Sequence, residues 1–223
     1  MEKNITRSCI DCGVKNCDSM DRHYPKFCVS EALDRDWLGE VLNKYQEEEN
    51  QKIAIASATI ERDFYCRMTR VQETIEFAKR IGAKKVGIAS CVGLLKESHV
   101  LAGLLREEGF EVFGAGCKIG TVPKHQIGIP ERCEDVGTNM CNPIMQAELL
   151  NRENTDLNIV MGLCVGHDSL FYKYSRAVTT TLVTKDRVLV HNPAAALYAA
   201  DSYYAQKLHP KKEQEKDGRD TDF

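Results

Sequence analysis

Apolar residues in this chain come mostly as short continuous runs, with little strict alternation. Four runs, 53–58 (IAIASA), 85–90 (KVGIAS), 110–116 (FEVFGAG) and 157–163 (LNIVMGL), have the length of strands and stop abruptly. A strand covered on both faces reads this way, because both of its faces must be apolar. Between the runs the spacing turns helical. Trp37, Leu38, Val41, Leu42 and Tyr45 recur at three and four residues after a capping Ser30, and Val71, Ile75, Ala78 and Ile81 follow a Thr69–Gln72 capping box. Leu94, Leu101, Leu104 and Leu105 mark a helix over 94–108 that ends at Gly109, and Asn142-Pro143 opens another. Runs 178–183 and 187–190 read as two strands joined by a Thr-Lys-Asp turn, and His191-Asn192-Pro193 starts a helix over 193–207.

Strands alternating with helices predict the α/β class: a mainly parallel, Rossmann-like or flavodoxin-like sheet with helices on both faces and an antiparallel hairpin added at 178–190. A small N-terminal module precedes it. Residues 1–29 carry too few apolar side chains for a core, so the expected division is 1–50 for a cysteine-rich module with its following helix, 51–208 for the α/β domain, and 209–223 for a charged, disordered tail. The stretch 118–139 lacks periodicity and holds Gly120, Pro123, Gly128, Pro130 and Gly137, as a lid over the sheet edge would.

Composition narrows the function. A net charge of -3 and a pI near 6.1 give no electrostatic case for nucleic acid or a membrane surface. No run reaches the roughly 18 apolar residues of a membrane span, and MEKNITRSC lacks the apolar stretch of a signal peptide, so a cytoplasmic protein is expected. In that setting ten cysteines point to metal or redox chemistry rather than to disulfides.

The cysteines form two sets. Cys9, Cys12, Cys17 and Cys28 are spaced C-x2-C-x4-C-x10-C, a set of four thiolates suited to zinc or an iron–sulfur cluster, with His23 an alternative ligand. Cys91, Cys117 and Cys164 each stand at the exit of a predicted strand. Cys66 lies between the first strand and its helix, and Cys141 precedes a helix N-terminus that favours thiolate. Ligands of open α/β sheets bind outside the carboxyl ends of the strands, so all five thiols are expected at one edge. Five exceed what one zinc takes; they suit an iron–sulfur cluster, a two-metal site, or a metal beside a redox-active pair, while buried free thiols are the plainer reading. The absence of a carboxylate cluster argues against magnesium and calcium. His167 and Asp168 are candidates for acid–base or ligand roles, Asp168 equally for a helix cap. Arg67 and Arg70 either bias Cys66 and bind an anion or are solvated helix residues. His125 and Cys133 ride on the lid. Neither a Gly-x-Gly-x-x-Gly nor a P-loop motif occurs.

Together the four-cysteine start, SATIERDFYCRMTRVQETIEFAKRIG (57–82), MCNPIMQAELLN (140–151), GLCVGHDSLF (162–171) and HNPAAALY (191–198) resemble an uncharacterised cysteine-rich, metal-binding protein family of bacteria and archaea, domain of unknown function family 1847. The resemblance covers the chain apart from its tail. It implies metal binding and no assigned reaction. The resulting expectation is a metal-binding protein with a four-cysteine N-terminal site and a second thiolate-rich, redox-linked site of zinc or iron–sulfur type at the sheet edge. If it is an enzyme, it is a metal- or cluster-dependent redox enzyme acting on a small molecule. The alternative is a metal carrier, sensor or electron-transfer partner of a redox protein, with only a structural N-terminal zinc.

Overall fold

The computed structural model describes residues 6–19, 21 and 23–209; from residue 210 the expected disordered tail lies outside the described residues. The chain divides into two compact units, Met1–Glu61 and Arg62–Phe223.

The first unit is helical: a 3-10 turn at Cys9–Asp11, then α1 (Asn16–Ser19), α2 (Val29–Ala32), α3 (Arg35–Lys44) and α4 (Glu48–Phe64), whose last turn enters the second unit. The helix expected over 30–50 is therefore broken. Asp34 restarts it, its Oδ1 accepting the backbone N–H groups of Asp36 and Trp37 at 2.8 and 2.9 Å. The strand expected at 53–58 is instead part of α4. Ala54, Ala56 and Ala58 are strong helix formers, and the β-branched and hydroxyl residues beside them are accommodated by back-bonding. Ser57 Oγ donates to the Ile53 carbonyl at 2.9 Å and Thr59 Oγ1 to that of Ile55 at 2.7 Å. A short apolar run does not by its period separate a strand from a helix.

The second unit is the α/β domain. Its elements are α5 (Arg70–Arg80), β1 (Lys85–Ser90), α6 (Leu95–Glu107), β2 (Glu111–Gly116), α7 (Pro143–Arg152), β3 (Leu157–Met161), α8 (His167–Tyr174), β4 (Val178–Val183), α9 (Ala194–Tyr198) and α10 (Ala205–Leu208). The four strands are all parallel, in the order β2-β1-β3-β4. Alternation sends the two sets of strand side chains into two cores. Val86, Ile88, Leu157, Ile159 and Met161 pack with Ala78 of α5 and with Leu101 and Leu105 of α6. Ala89, Ala115 and Val160 pack with Ala147 and Leu150 of α7 and Phe171 of α8. Helices thus cover both faces, and each fully buried Leu or Ile contributes about 1.5–3 kcal/mol.

The expected hairpin does not form. Strand β4 pairs in parallel with β3 and carries a bulge: Thr181 faces Val160 and Val183 faces Met161, leaving Leu182 as an extra residue. Residues 187–190 form turns, held by Asp186, whose Oδ1 accepts the N–H groups of Val188 and Leu189 at 2.9 and 2.8 Å. An aspartate bonding the backbone two and three residues on competes with strand pairing. The single helix expected over 193–207 is two short ones, α9 and α10. Among the described residues no helix is long and apolar enough to cross a membrane.

Candidate functional site

Strand β2 lies on one side of β1 and β3 on the other, so the chain changes direction at the β1/β3 boundary, where open α/β sheets form their crevice. Cys91 leaves β1 there, its N–H donating to the Met161 carbonyl at 3.0 Å, and Cys164 follows β3 after Gly162, whose φ of 65° turns the chain. Cys117 leaves β2 and is 3% exposed. Its sulfur accepts the N–H of Val92 at 3.4 Å.

Cys141 reaches the same edge because the lid closes on itself. The Asn142 N–H donates to the Cys117 carbonyl at 2.7 Å, Met140 N–H to Val122 at 2.8 Å, and Lys124 N–H to Thr138 at 3.0 Å. Lys118 Nζ donates to the Asn139 carbonyl at 2.6 Å. Residues 117–142 are therefore one compact loop with a zipped base, and that base sets the Cys117 and Cys141 side chains against each other. Asn142 caps α7, its Oδ1 accepting Met145 N–H at 3.1 Å, and Pro143 opens the helix. The helix start expected from Asn-Pro is in place, with Cys141 one residue ahead of it.

The two thiols share one proton. Hydrogen bonding from Cys117, then His167, with the charge of Lys118 added, holds Cys141 well below the usual thiol range. Cys117 is pushed far above it by the Cys141 partner and by burial. Cations from the exit of β4 complete the cluster. Lys185 Nζ donates to Cys91 Sγ at 3.4 Å and Arg187 Nη2 to Cys164 Sγ at 2.9 Å. Cys164 raises the pKa of Arg187, and the charges of Cys91 and Cys141 add to the effect.

Beneath the sulfurs lies Gln146 of α7, fully buried, its Nε2 donating to the carbonyls of Ser90 and Ala115 at 3.1 and 2.6 Å. Among the described residues the buried side-chain N and O atoms without a hydrogen-bond partner are Gln146 Oε1 and His167 Nδ1. Both belong to this edge. Buried polar atoms are seldom left unpaired, because each costs about 1–3 kcal/mol.

The structure thus brings together Cys91, Cys117, Cys141, Cys164 and His167. Cys66 is exposed at φ 55° in the turn before α5, and among the described residues no hydrogen bond joins it to this cluster. Arg67 donates to the Asp63 carbonyl, and Arg70 to that of Thr181 at 2.8 and 3.0 Å, so Arg70 secures the outer edge of β4. The Asp168 carboxylate accepts the N–H groups of Gly166 and Ser169 at 3.0 and 2.8 Å, a local turn role. Cys133 contributes its carbonyl to the buried Lys124 and His125 stands 3.9 Å from Glu134, both within the lid. On the sequence alone Lys185 falls in a hairpin turn and Arg187 in the strand after it, so neither is a candidate. With 178–183 as a fourth parallel strand, both follow a strand exit as the cysteines do.

In the first unit Cys9, Cys12, Cys17 and Cys28 line one cavity of about 340 Å³ with Tyr24 and Phe27. Cys12 Sγ donates to the Val14 carbonyl at 2.9 Å, and His23 pairs at 2.7 Å with Asp21. All ten cysteines are free thiols. Among the described residues no three His, Cys, Asp or Glu side chains are already set at metal-coordination spacing.

Residues 28–182 match a family described as "Protein of unknown function (DUF1847)". The uncharacterized protein MJ0455 of Methanocaldococcus jannaschii is 47% identical over 174 residues, which cover 78% of this chain and 89% of that protein. Among solved structures, the crystal structure of Dph2 from Pyrococcus horikoshii with a 4Fe-4S cluster aligns with a TM-score of 0.29 at 26% identity, over 43% of this chain and 22% of Dph2. A second Dph2 crystal structure from that organism gives the same score and identity over 42% and 22%. This chain spans less than a quarter of Dph2's length.

Proposed function

The chain belongs to the DUF1847 family, whose function is unassigned, and from that premise we propose that it is a thiolate metalloprotein working at the carboxyl edge of its Rossmann-like sheet. Cys91, Cys117 and Cys164 are the proposed ligands of a soft metal or iron–sulfur cluster, one from each of three strand exits. Three protein sulfurs leave a position open for a small-molecule substrate or a redox partner. Cys141 and His167 stand beside it for proton or thiol chemistry.

The observation that carries this reading is the convergence of four thiols with two orphaned buried polar atoms, His167 Nδ1 and Gln146 Oε1. The donor chemistry fits: sulfur and imidazole select zinc, copper(I) or iron–sulfur centres over hard cations. The bases of the thiols are fixed by the sheet, and rotation about Cα–Cβ bonds is what draws the sulfurs to a metal. Lys185 and Arg187 offset the negative charge that ligating thiolates accumulate. The Cys9, Cys12, Cys17 and Cys28 set is the proposed second site, of zinc or iron–sulfur type. Its four cysteines line one cavity in a segment with few apolar residues, where metal binding would supply folding free energy.

The test is metal and acid-labile sulfide analysis with an absorption spectrum, on protein purified without oxygen. Joint replacement Cys91→Ser and Cys164→Ser is expected to lower metal content by one site's worth. Unchanged metal content would sink the sheet-edge reading.

A further inference from the structure

We infer that Cys141 and Cys117 form a thiol–disulfide exchange couple, with Cys141 the attacking thiol and Cys117 the resolving one, acting on low-molecular-weight disulfides. The inference does not depend on the metal-binding reading: Cys117 serves as a ligand only while reduced, so bound metal and the disulfide are alternative states of the same site.

Three observations carry it. The backbone bond from Asn142 to Cys117 at 2.7 Å ties the peptide that links Cys141 to Asn142 directly to the Cys117 carbonyl, so the two cysteine backbones lie side by side, as a disulfide requires. The two side chains are in contact, Cys141 packing on the buried cluster that contains Cys117. The pair is also asymmetric in access: Cys141 is partly exposed and Cys117 is 3% exposed. An external disulfide therefore meets Cys141 first. Cys117 needs no solvent access, because its target is the sulfur beside it.

With glutathione disulfide the exchange balances as follows. The Cys141 sulfur attacks one sulfur of the disulfide, whose S–S bond breaks, and one glutathione leaves while the other stays bonded to Cys141. Cys117 then attacks the Cys141 sulfur, that mixed bond breaks, and the second glutathione leaves. The two protein sulfurs are oxidised to a disulfide and the glutathione disulfide is reduced to two thiols; the proton the pair shares goes to one departing glutathione and water supplies the other. The product is a disulfide across the base of the 117–142 loop.

The experiment uses the full chain, reduced and incubated anaerobically with glutathione disulfide, mapped by mass spectrometry of non-reduced peptides, with metal measured on the same sample. A Cys117–Cys141 cross-link is expected in the unaltered protein. Cys117→Ser is expected to trap glutathione on Cys141, and Cys141→Ser to leave Cys117 unmodified. Cross-linking to another cysteine, or no adduct on Cys141 in a Cys117→Ser variant that keeps the wild-type circular dichroism, overturns the assignment. A cross-link in protein that binds no metal would overturn the metal reading alone. Metal-loaded and chelator-stripped protein that both refuse the cross-link would overturn this inference alone.

Discussion

At the scale of single residues the site is governed by how its sulfurs share protons and neighbours. Cys141 is held ionised first by the Cys117 hydrogen bond and then by His167. A lowered thiol pKa means the nucleophilic form survives on the acid side of the ordinary thiol value of about 8.5. Alkylation of Cys141 by iodoacetamide is therefore expected to stay fast through neutrality and to slow only in more acidic solution, while an ordinary exposed thiol slows tenfold per unit below its pKa. His167→Ala is expected to move the Cys141 profile toward higher pH without reaching the ordinary value, because Cys117 remains. An unmoved profile would remove His167 from the cluster's electrostatics. Cys91, Cys117 and Cys164 were legible in the sequence because each follows directly on a continuous apolar run, and the end of such a run is the end of a buried strand. Cys66 follows a run that is helix, so it stands at no strand exit. Lys185 and Arg187 are hidden because 178–183 reads as half of a hairpin, which puts them in a turn and a second strand instead of at a strand exit.

At the scale of elements, the start of α7 does two jobs. The Asn142 side chain caps the helix, while its backbone N–H ties the lid's base to Cys117. Asn142→Ala removes the cap and a long Nδ2–H donation to the Ile119 carbonyl at 3.5 Å but keeps the backbone tie, so a loss of about 1 kcal/mol is expected in urea unfolding, with the Cys141 alkylation profile retained. A loss well beyond that would mean the cap also holds the lid. The Asn-Pro signal was readable because cap chemistry is local. The Thr69–Gln72 capping box was readable too, with Gln72 Oε1 accepting the Thr69 N–H at 2.9 Å. The errors fall where local chemistry is ambiguous. IAIASA has a strand's composition and a helix's alanines, and its neighbours decide. For 178–190, two short β-branched runs with a polar turn between them look like a hairpin; Asp186 closes its own turn, and β4 finds its partner in β3, about twenty residues back along the chain.

At the scale of the whole molecule, each unit carries its own set of sulfurs, one in a helical segment poor in apolar residues and one on a sheet with a full core on either face. Joint replacement Cys9→Ser and Cys12→Ser is expected to remove the metal proposed for the first unit. Hydrogen-exchange protection of β1 and β3 is expected to stay unchanged, because strands buried on both faces draw their stability from their own helices. Loss of protection in those strands would show that the first unit is integral to the second. The α/β class and the mainly parallel sheet follow from patterning that extends over the whole chain, which is why they are legible where single boundaries are not. The bulge at Leu182 has a consequence for descent. Position along an edge strand is counted in ones, and side is a matter of parity. A relative that lost that one residue would still set Val183 opposite Met161 and Lys185 two residues on, so the bulge absorbs a change of length. One residue gained after Val183 would not be absorbed: Thr184 would arrive where Lys185 now stands, and Cys91 would lose its cation with every cysteine motif intact.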